Sequence, residues 1–296
     1  MVRDAIRARL ERHTPSPGAV STPFDGVKLF RAVEPVERVP GVFSPSACVI
    51  VAGEKVAYVG DARHVYNENQ YLLATMPTPA LTEVPTASPA APLLGLLIQL
   101  DTNSMSRLVL EMEAAYGTLP AADAPGEGFG VAARDAGLDA ALARLLELLD
   151  DPPAAKVLGA GRLREVLFAV LRGGAGERLR RDFGGAPTLA TTLAYVHANI
   201  DEDFSIDSLA DRAGMSRSAF DRHFKAATSW SPLQYIKAMR LSEASMLIAR
   251  GEGVGDAARR VGYHNPSLFS REFRRKFGVS PREWARGTRG SGEPRG

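Results

Sequence analysis

Leu209-Ala210-Asp211-Arg212-Ala213-Gly214-Met215-Ser216-Arg217-Ser218-Ala219-Phe220-Asp221-Arg222-His223-Phe224 is written a second time as Ala257-Ala258-Arg259-Arg260-Val261-Gly262-Tyr263-His264-Asn265-Pro266-Ser267-Leu268-Phe269-Ser270-Arg271-Glu272-Phe273. The copies close on Ser231-Pro232 and Ser280-Pro281. Phe220 to Phe269, Phe224 to Phe273 and Pro232 to Pro281 are each offset by 49, whereas Gly214 to Gly262 is 48, so the second turn holds one extra residue. Each copy reads as a short helix, a glycine able to take positive φ at a tight turn, and a second amphipathic helix: a helix-turn-helix. Ser205 is placed to cap the first helix of copy one, and Ser216 and Asn265 to start the second helices. Pro266 falls at the first helical position, where a missing N–H costs nothing.

Phe220 and Phe224 share one helical stripe, as do Phe269, Phe273 and Phe277, and these faces are expected to be buried. The opposite faces carry Ser218, Asp221, Arg222 and Lys225 in copy one and Ser267, Ser270, Arg271 and Arg274 in copy two, at i, i+3, i+4, i+7 spacing. Hydroxyls and guanidiniums on one helical face suit a major groove, where Arg grips guanine O6 and N7. A single such helix reads first as a solvated charged face, since helix-turn-helix shapes also occur in plain helical folds; two copies with matching faces reverse that preference. Ser218, Asp221, Arg222, Ser267, Ser270 and Arg271 are the expected base readers, and Arg217, Lys225, Arg274 and Arg275 the expected phosphate contacts. Asp221 has two roles open to it: orienting Arg222, or accepting from cytosine N4.

Between the copies, Pro232 to about Ile248 reads as one helix of roughly 25 Å, a rigid spacer for two units that would enter successive major-groove faces. The run Arg240-Leu241, Ala244, Leu247-Ile248, Val254, Ala257-Ala258, Val261-Gly262-Tyr263, Ser267, Phe269 to Arg274, Phe277-Gly278, Ser280-Pro281 and Trp284 resembles the signature of the AraC/XylS family of bacterial transcription regulators. Ala257 stands where that family more often has isoleucine, Tyr263 replaces its usual phenylalanine, and Ala285 stands where an arginine is common. The resemblance implies double-stranded DNA, RNA polymerase and a second copy of the chain as partners.

The 296 residues suffice for two domains, and 45% hydrophobic content is ordinary for a globular protein. Cys48 is the single cysteine, which excludes an internal disulfide and fits a reducing compartment. Residues 1–20 hold no signal-peptide apolar region, and Leu93 to Ile98 is far too short to span a bilayer, so a cytoplasmic protein is expected. The net charge of +2 divides unevenly: residues 188–296 hold 17 basic and 12 acidic residues, net +5, leaving net −3 for the rest. The phosphate-binding footprint is therefore expected in the C-terminal part.

Residues 2–13 read as a short amphipathic helix and Thr14 to Pro23 as a loop. From Val27 to Leu100 the period becomes that of strands (Val27–Val33, Ala47–Ala52, Val56–Val59, His64–Tyr66, Tyr71–Ala74 and Leu93–Leu100), with Cys48 to Val59 as a hairpin turning at Gly53-Glu54. Pro77 to Pro92, with five prolines, reads as a loop or edge strand. Short strands and turns in this density imply a barrel or sandwich. The segments Ser46 to Lys55, Tyr66 to Leu73 and Thr75 to Pro79 resemble the cupin-like N-terminal domain of one AraC-type subfamily, which implies a small-molecule effector pocket; Cys48, His64 and Tyr66 are its candidate residues.

A rival reading is a cupin-type metal-dependent enzyme fused to a nucleic-acid-binding domain. That chemistry needs several converging histidines and a carboxylate, whereas His64 is the only histidine in the strand region. His64 reads better as packed at the barrel rim, and no cofactor or catalytic residue is expected. Cys48 reads first as a small buried hydrophobe; a reactive thiol, its pKa lowered by Lys55 or Arg63, is the sharper alternative.

Leu138 to Leu149 and Ala154 to Leu171 read as apolar-striped helices that cover the barrel or form a dimer seam. Residues 121–130 read as a loop, Arg172 to Pro187 as the interdomain linker, and Thr188 as the cap of a helix from Leu189 to Asn199. The fold class expected is α+β: an N-terminal cupin-like β-barrel with flanking helices, then an all-α domain with two helix-turn-helix motifs. The expected domains are 1–183 (effector sensing and dimerisation), 184–286 (DNA binding) and a disordered tail at 287–296.

Overall fold

The structure, a computed structural model, describes residues 1–117, 127–184 and 189–290, the side chains of 288–290 excepted. Helix α1 (Val2–His13) leads into β1 (Gly18–Ser21), β2 (Val27–Ala32), β3 (Val36–Phe43), β4 (Ser46–Ala52), β5 (Glu54–Val59), β6 (Ala62–Asn67), β7 (Gln70–Ala74), β8 (Thr78–Val84) and β9 (Leu93–Gln99). There follow α2 (Thr102–Tyr116), β10 (Phe129–Ala133), α3 (Ala136–Glu147) with a 3₁₀ turn at Leu148–Asp150, α4 (Pro152–Arg172) and α5 (Gly176–Phe183). The rest is helical: α6 (Leu189–Ala198), α7 (Ile206–Arg212), α8 (Arg217–Thr228), α9 (Pro232–Ala249), α10 (Val254–Arg260), α11 (Pro266–Phe277) and α12 (Pro281–Gly290).

Two antiparallel sheets face one another, one ordered β1-β2-β9-β4-β7-β10 and the other β3-β8-β5-β6. Strand alternation sorts β4: Cys48 and Ile50 point between the sheets, while Ala47, Val49 and Val51 point outward under the helical layer. The six-stranded sheet is thus covered on both faces, which is why all seven residues of β4 are buried. Helices α1 to α5 supply the cover through Ile6, Leu10, Met105, Leu142, Val166 and Leu179. Within it Arg134, its side chain 1% exposed, pairs with Asp139, which also takes Arg3 at 2.6 Å.

Several expectations are corrected. Cys48 to Val59 is not a hairpin: β4 pairs with β7 and β9, β5 with β6 and β8, and Gly53 turns the chain from one sheet into the other at φ +84°. Gly18–Ser21, inside the expected loop, pairs with β2. The proline-rich stretch supplies an internal strand, β8; Pro79 is tolerated because β5 overlaps β8 only from Leu81 to Glu83, which leaves the far side of Pro79 unpaired. The expected linker contains α5, held to the core by Leu179 and Phe183. Helix α12 continues through Gly290, into the expected tail. Thr188 lies outside the described residues, as do 121–126 of the expected loop at 121–130, whose last two residues open β10.

Candidate DNA interface and effector cavity

In the first helix-turn-helix, Ser205 caps α7, Gly214 makes the turn at φ +66°, and Ser216 caps α8 by accepting from Ala219 N at 3.4 Å. In the second, Gly262 turns at φ +81°, and the Asn265 side chain accepts from Ser267 N and Leu268 N, both at 3.0 Å. A Cβ at Gly262 would stand 2.7 Å from the Asp201 carbonyl oxygen, so close approach as well as dihedral angle reserves this place for glycine. The aromatic stripes form one core. Phe220, Phe224 and Tyr235 pack in series, as do Phe269, Phe273, Phe277 and Trp284. Helix α9 starts from a capping box in which Ser231 and Gln234 bond each other's backbone N–H, and Arg240 ties it to the Ile200 and Glu202 carbonyls at 2.9 and 2.6 Å.

Burying these stripes turns the opposite faces out. Ser218, Arg222, Lys225, Ser267, Ser270, Arg271, Arg274 and Arg275 are exposed. Arg217 and Asp221 are arranged differently from the expectation. Arg217 donates to Asp207 at 2.8 Å and to Asp221 at 3.1 Å, and these bonds raise its pKa. Asp221 therefore steadies Arg217, not Arg222. Tyr263, whose hydroxyl the sequence does not account for, donates to Glu272 at 2.7 Å; Lys237 reaches the same carboxylate at 2.7 Å. Burial raises Glu272, but the bonds from Lys237 and Tyr263 outweigh it and leave the pKa low.

Of the three candidate effector residues the structure joins two. The Tyr66 hydroxyl donates to Cys48 Sγ at 3.7 Å, and burial, with Cys48 beside it, pushes the Tyr66 pKa well up. Cys48 lines a cavity of about 290 Å³ with Phe30, Phe43, Lys55, Leu97 and, from the second domain, Met246. His64 is elsewhere, edge-on to Phe129 at 5.3 Å. Sequence reasoning missed the roof of this cavity, because no local pattern shows that α9 crosses back over the sandwich.

That crossing is extensive. Helix α9 packs on β3 and β8, Met76 enters the core of the helix-turn-helix region, the Tyr235 hydroxyl donates to the Pro77 carbonyl, and Gly128 N donates to the Ala227 carbonyl at the end of α8 at 3.1 Å. Trp230 belongs to both cores. Among the described residues no helix is long and apolar enough to cross a membrane.

Comparison with known proteins gives two family matches. The family described as AraC-type transcriptional regulator N-terminus matches residues 23–178, more than half of the chain, and a helix-turn-helix domain family matches 209–287. The HTH-type transcriptional regulator AlkR of Acinetobacter baylyi is 34% identical over 99 residues, 33% of this chain and 32% of AlkR. The HTH-type transcriptional regulator ArgR of Pseudomonas aeruginosa is 30% identical over 148 residues, 49% of this chain and 45% of ArgR. The matches thus span a third to a half of the length of these curated relatives. In fold the chain is similar to ToxT of Vibrio cholerae, at a TM-score of 0.53 and 12% identity over 88% of this chain and 97% of that one. The match over 23–178 carries the assignment, and the chain belongs to the AraC-type transcriptional regulators.

Proposed function

We propose that this chain is a cytoplasmic, ligand-responsive transcription regulator and not an enzyme, with residues 1–183 sensing a small molecule and residues 184–286 binding double-stranded DNA. One observation carries the DNA reading: α8 and α11 each turn an exposed face of hydroxyls and guanidiniums outward from a rigid shared core. Arg222 and Arg271 read bases with Ser218, Ser267 and Ser270 beside them, and Lys225, Arg274 and Arg275 hold phosphates. Asp221 acts on the DNA through Arg217. RNA polymerase and a second copy of the chain complete the proposed partners. The deciding experiment is binding of the purified protein to DNA flanking its own coding region, across a salt series and beside a scrambled duplex. A cognate preference of ~10³ or more is expected; salt-sensitive binding without preference at any tested site would sink the reading.

The cavity under α9 supports the effector half of the reading. Its volume approaches the ~300 Å³ lower end of ligand pockets, Lys55 gives it one cation at an apolar wall, and its roof belongs to the helix that spaces the two DNA-binding units. A ToxT structure with an unsaturated fatty acid bound offers a small-molecule precedent in a similar fold. A ligand that binds only the folded state raises its stability, so thermal-shift screening of small acids, aldehydes and alcohols is expected to yield hits that Lys55→Glu or Met246→Trp removes.

A further inference from the structure

On the far side of the sandwich from α9, helices α2 and α4 border a cleft of about 480 Å³. Its floor is apolar, made by Phe24, Leu108, Leu163 and Leu167, and its rim carries Arg107, Lys156 and Arg164 against one carboxylate, Asp25. Small residues open it: Gly159 lies on the floor where a Cβ would stand 3.0 Å from the Phe24 ring, and Ala160 lines the wall beside it.

The charges around the cleft differ in their partners. Arg144 and Arg162 share Glu165, at 2.9 and 2.7 Å, and Arg164 pairs with Glu111. Arg107 and Lys156 make no ion pair among the described residues, and both line this cleft. Unpaired cations above an apolar floor complement a ligand with an apolar body and one anionic end, since binding sites combine an apolar lining with a few placed polar groups. A second protein copy fits less well, because covering Arg107 and Lys156 with an apolar helix would strand two cations.

We propose that the cleft between α2 and α4 is a second small-molecule site, taking a compact aromatic or branched carboxylate whose body lies on Phe24 and Leu163 and whose carboxylate meets Arg107 and Lys156. The site is distinct from the cavity containing Cys48 and goes beyond the effector reading given for it. Helix α4 runs on toward α5, whose Asp182 carboxylate accepts from Thr75 Oγ1 at 2.5 Å, two residues before the Pro77 carbonyl that receives Tyr235. An occupant along α4 therefore lies against the layer that leads to the domain junction.

The test is calorimetric titration of the full chain with 2-naphthoate and with its neutral analogue 2-naphthamide, on the wild type and on Arg107→Glu, Lys156→Glu and Lys55→Glu. Both rim positions are exposed, so the rim variants should keep the wild-type unfolding temperature. The expected result is naphthoate binding that weakens about tenfold or more in each rim variant and for the amide, and is unchanged by Lys55→Glu. Loss in Lys55→Glu alone would place the ligand in the other cavity, overturning this proposal while supporting the first reading. Absence of naphthoate binding overturns it as well; if sedimentation then shows a dimer that Lys156→Glu splits, the cleft is a face between two copies.

Discussion

Arg271 stands open to solvent on the outer face of α11, four residues before Arg275, which is 72% exposed and 3.9 Å from Glu272. A guanidinium that reaches a base edge and one that reaches a phosphate have different signatures. Arg271→Ala is expected to cost about 1–3 kcal/mol on the cognate site and to relax one base position, and Arg275→Ala to weaken all sequences alike. Competition binding against single-base variants of the operator separates the two. Arg217 presents the reverse case, a cation already held by Asp207 and Asp221. Asp207→Ala should release it toward phosphate, strengthen binding to cognate and scrambled DNA together and steepen the salt dependence by about one contact; an unchanged salt slope would refute it. His64 gives the pH dependence. Burial, the largest cause, holds its pKa below the ordinary 6.5, with Glu127 opposing and Arg178 assisting. The folded protein therefore takes this proton less readily than the unfolded chain, so the associated stability is complete above about pH 6.5 and is lost as pH falls toward the lowered folded value. The unfolding temperature should fall from about pH 7.5 to about pH 5.5, and fall less in His64→Gln.

The two turns show how far elements were legible. Gly214, Gly262, Ser216, Asn265 and Pro266 announce dihedral angles and caps that depend on a few neighbours, and the helices begin where these residues place them. Gly262→Ala is expected to destabilise the fold by about 2 kcal/mol or more, since an L-residue is strained at this φ and its Cβ meets the Asp201 carbonyl; chemical denaturation measures it. In the sandwich, strands with an apolar run were readable, but their partners were not. Nothing local in Gly53-Glu54 distinguishes a hairpin from a change of sheet. Helix α2 was legible yet unread: Asp101 caps it, and Met105, Leu108, Val109 and Met112 recur at helical spacing. The exposed polar face of α11 followed from periodicity alone. The Arg217 clamp did not, because Asp207 sits on a different helix ten residues earlier.

At the scale of the molecule, the β-sandwich and the helix-turn-helix region share a packed junction at Met76, Pro77, Trp230 and Tyr235. A ligand shifts this arrangement only through differential affinity for docked and undocked forms. Tyr235→Phe strands the Pro77 carbonyl, a loss of about 1–3 kcal/mol from the docked form. It should change DNA affinity without effector and shrink the effector response; unaltered values for both would remove the junction from the mechanism. The covering of the six-stranded sheet on both faces also matters before the fold exists. The longest helix of that outer cover, α4, ends only at Arg172, about 120 residues after Ala52. At ~5–20 residues per second of synthesis that is roughly 6–24 s. Through that interval the outer face of an uncharged strand has only the earlier helices to cover it, so soluble yield in a cell will depend on translation speed and chaperone supply as much as on the finished structure.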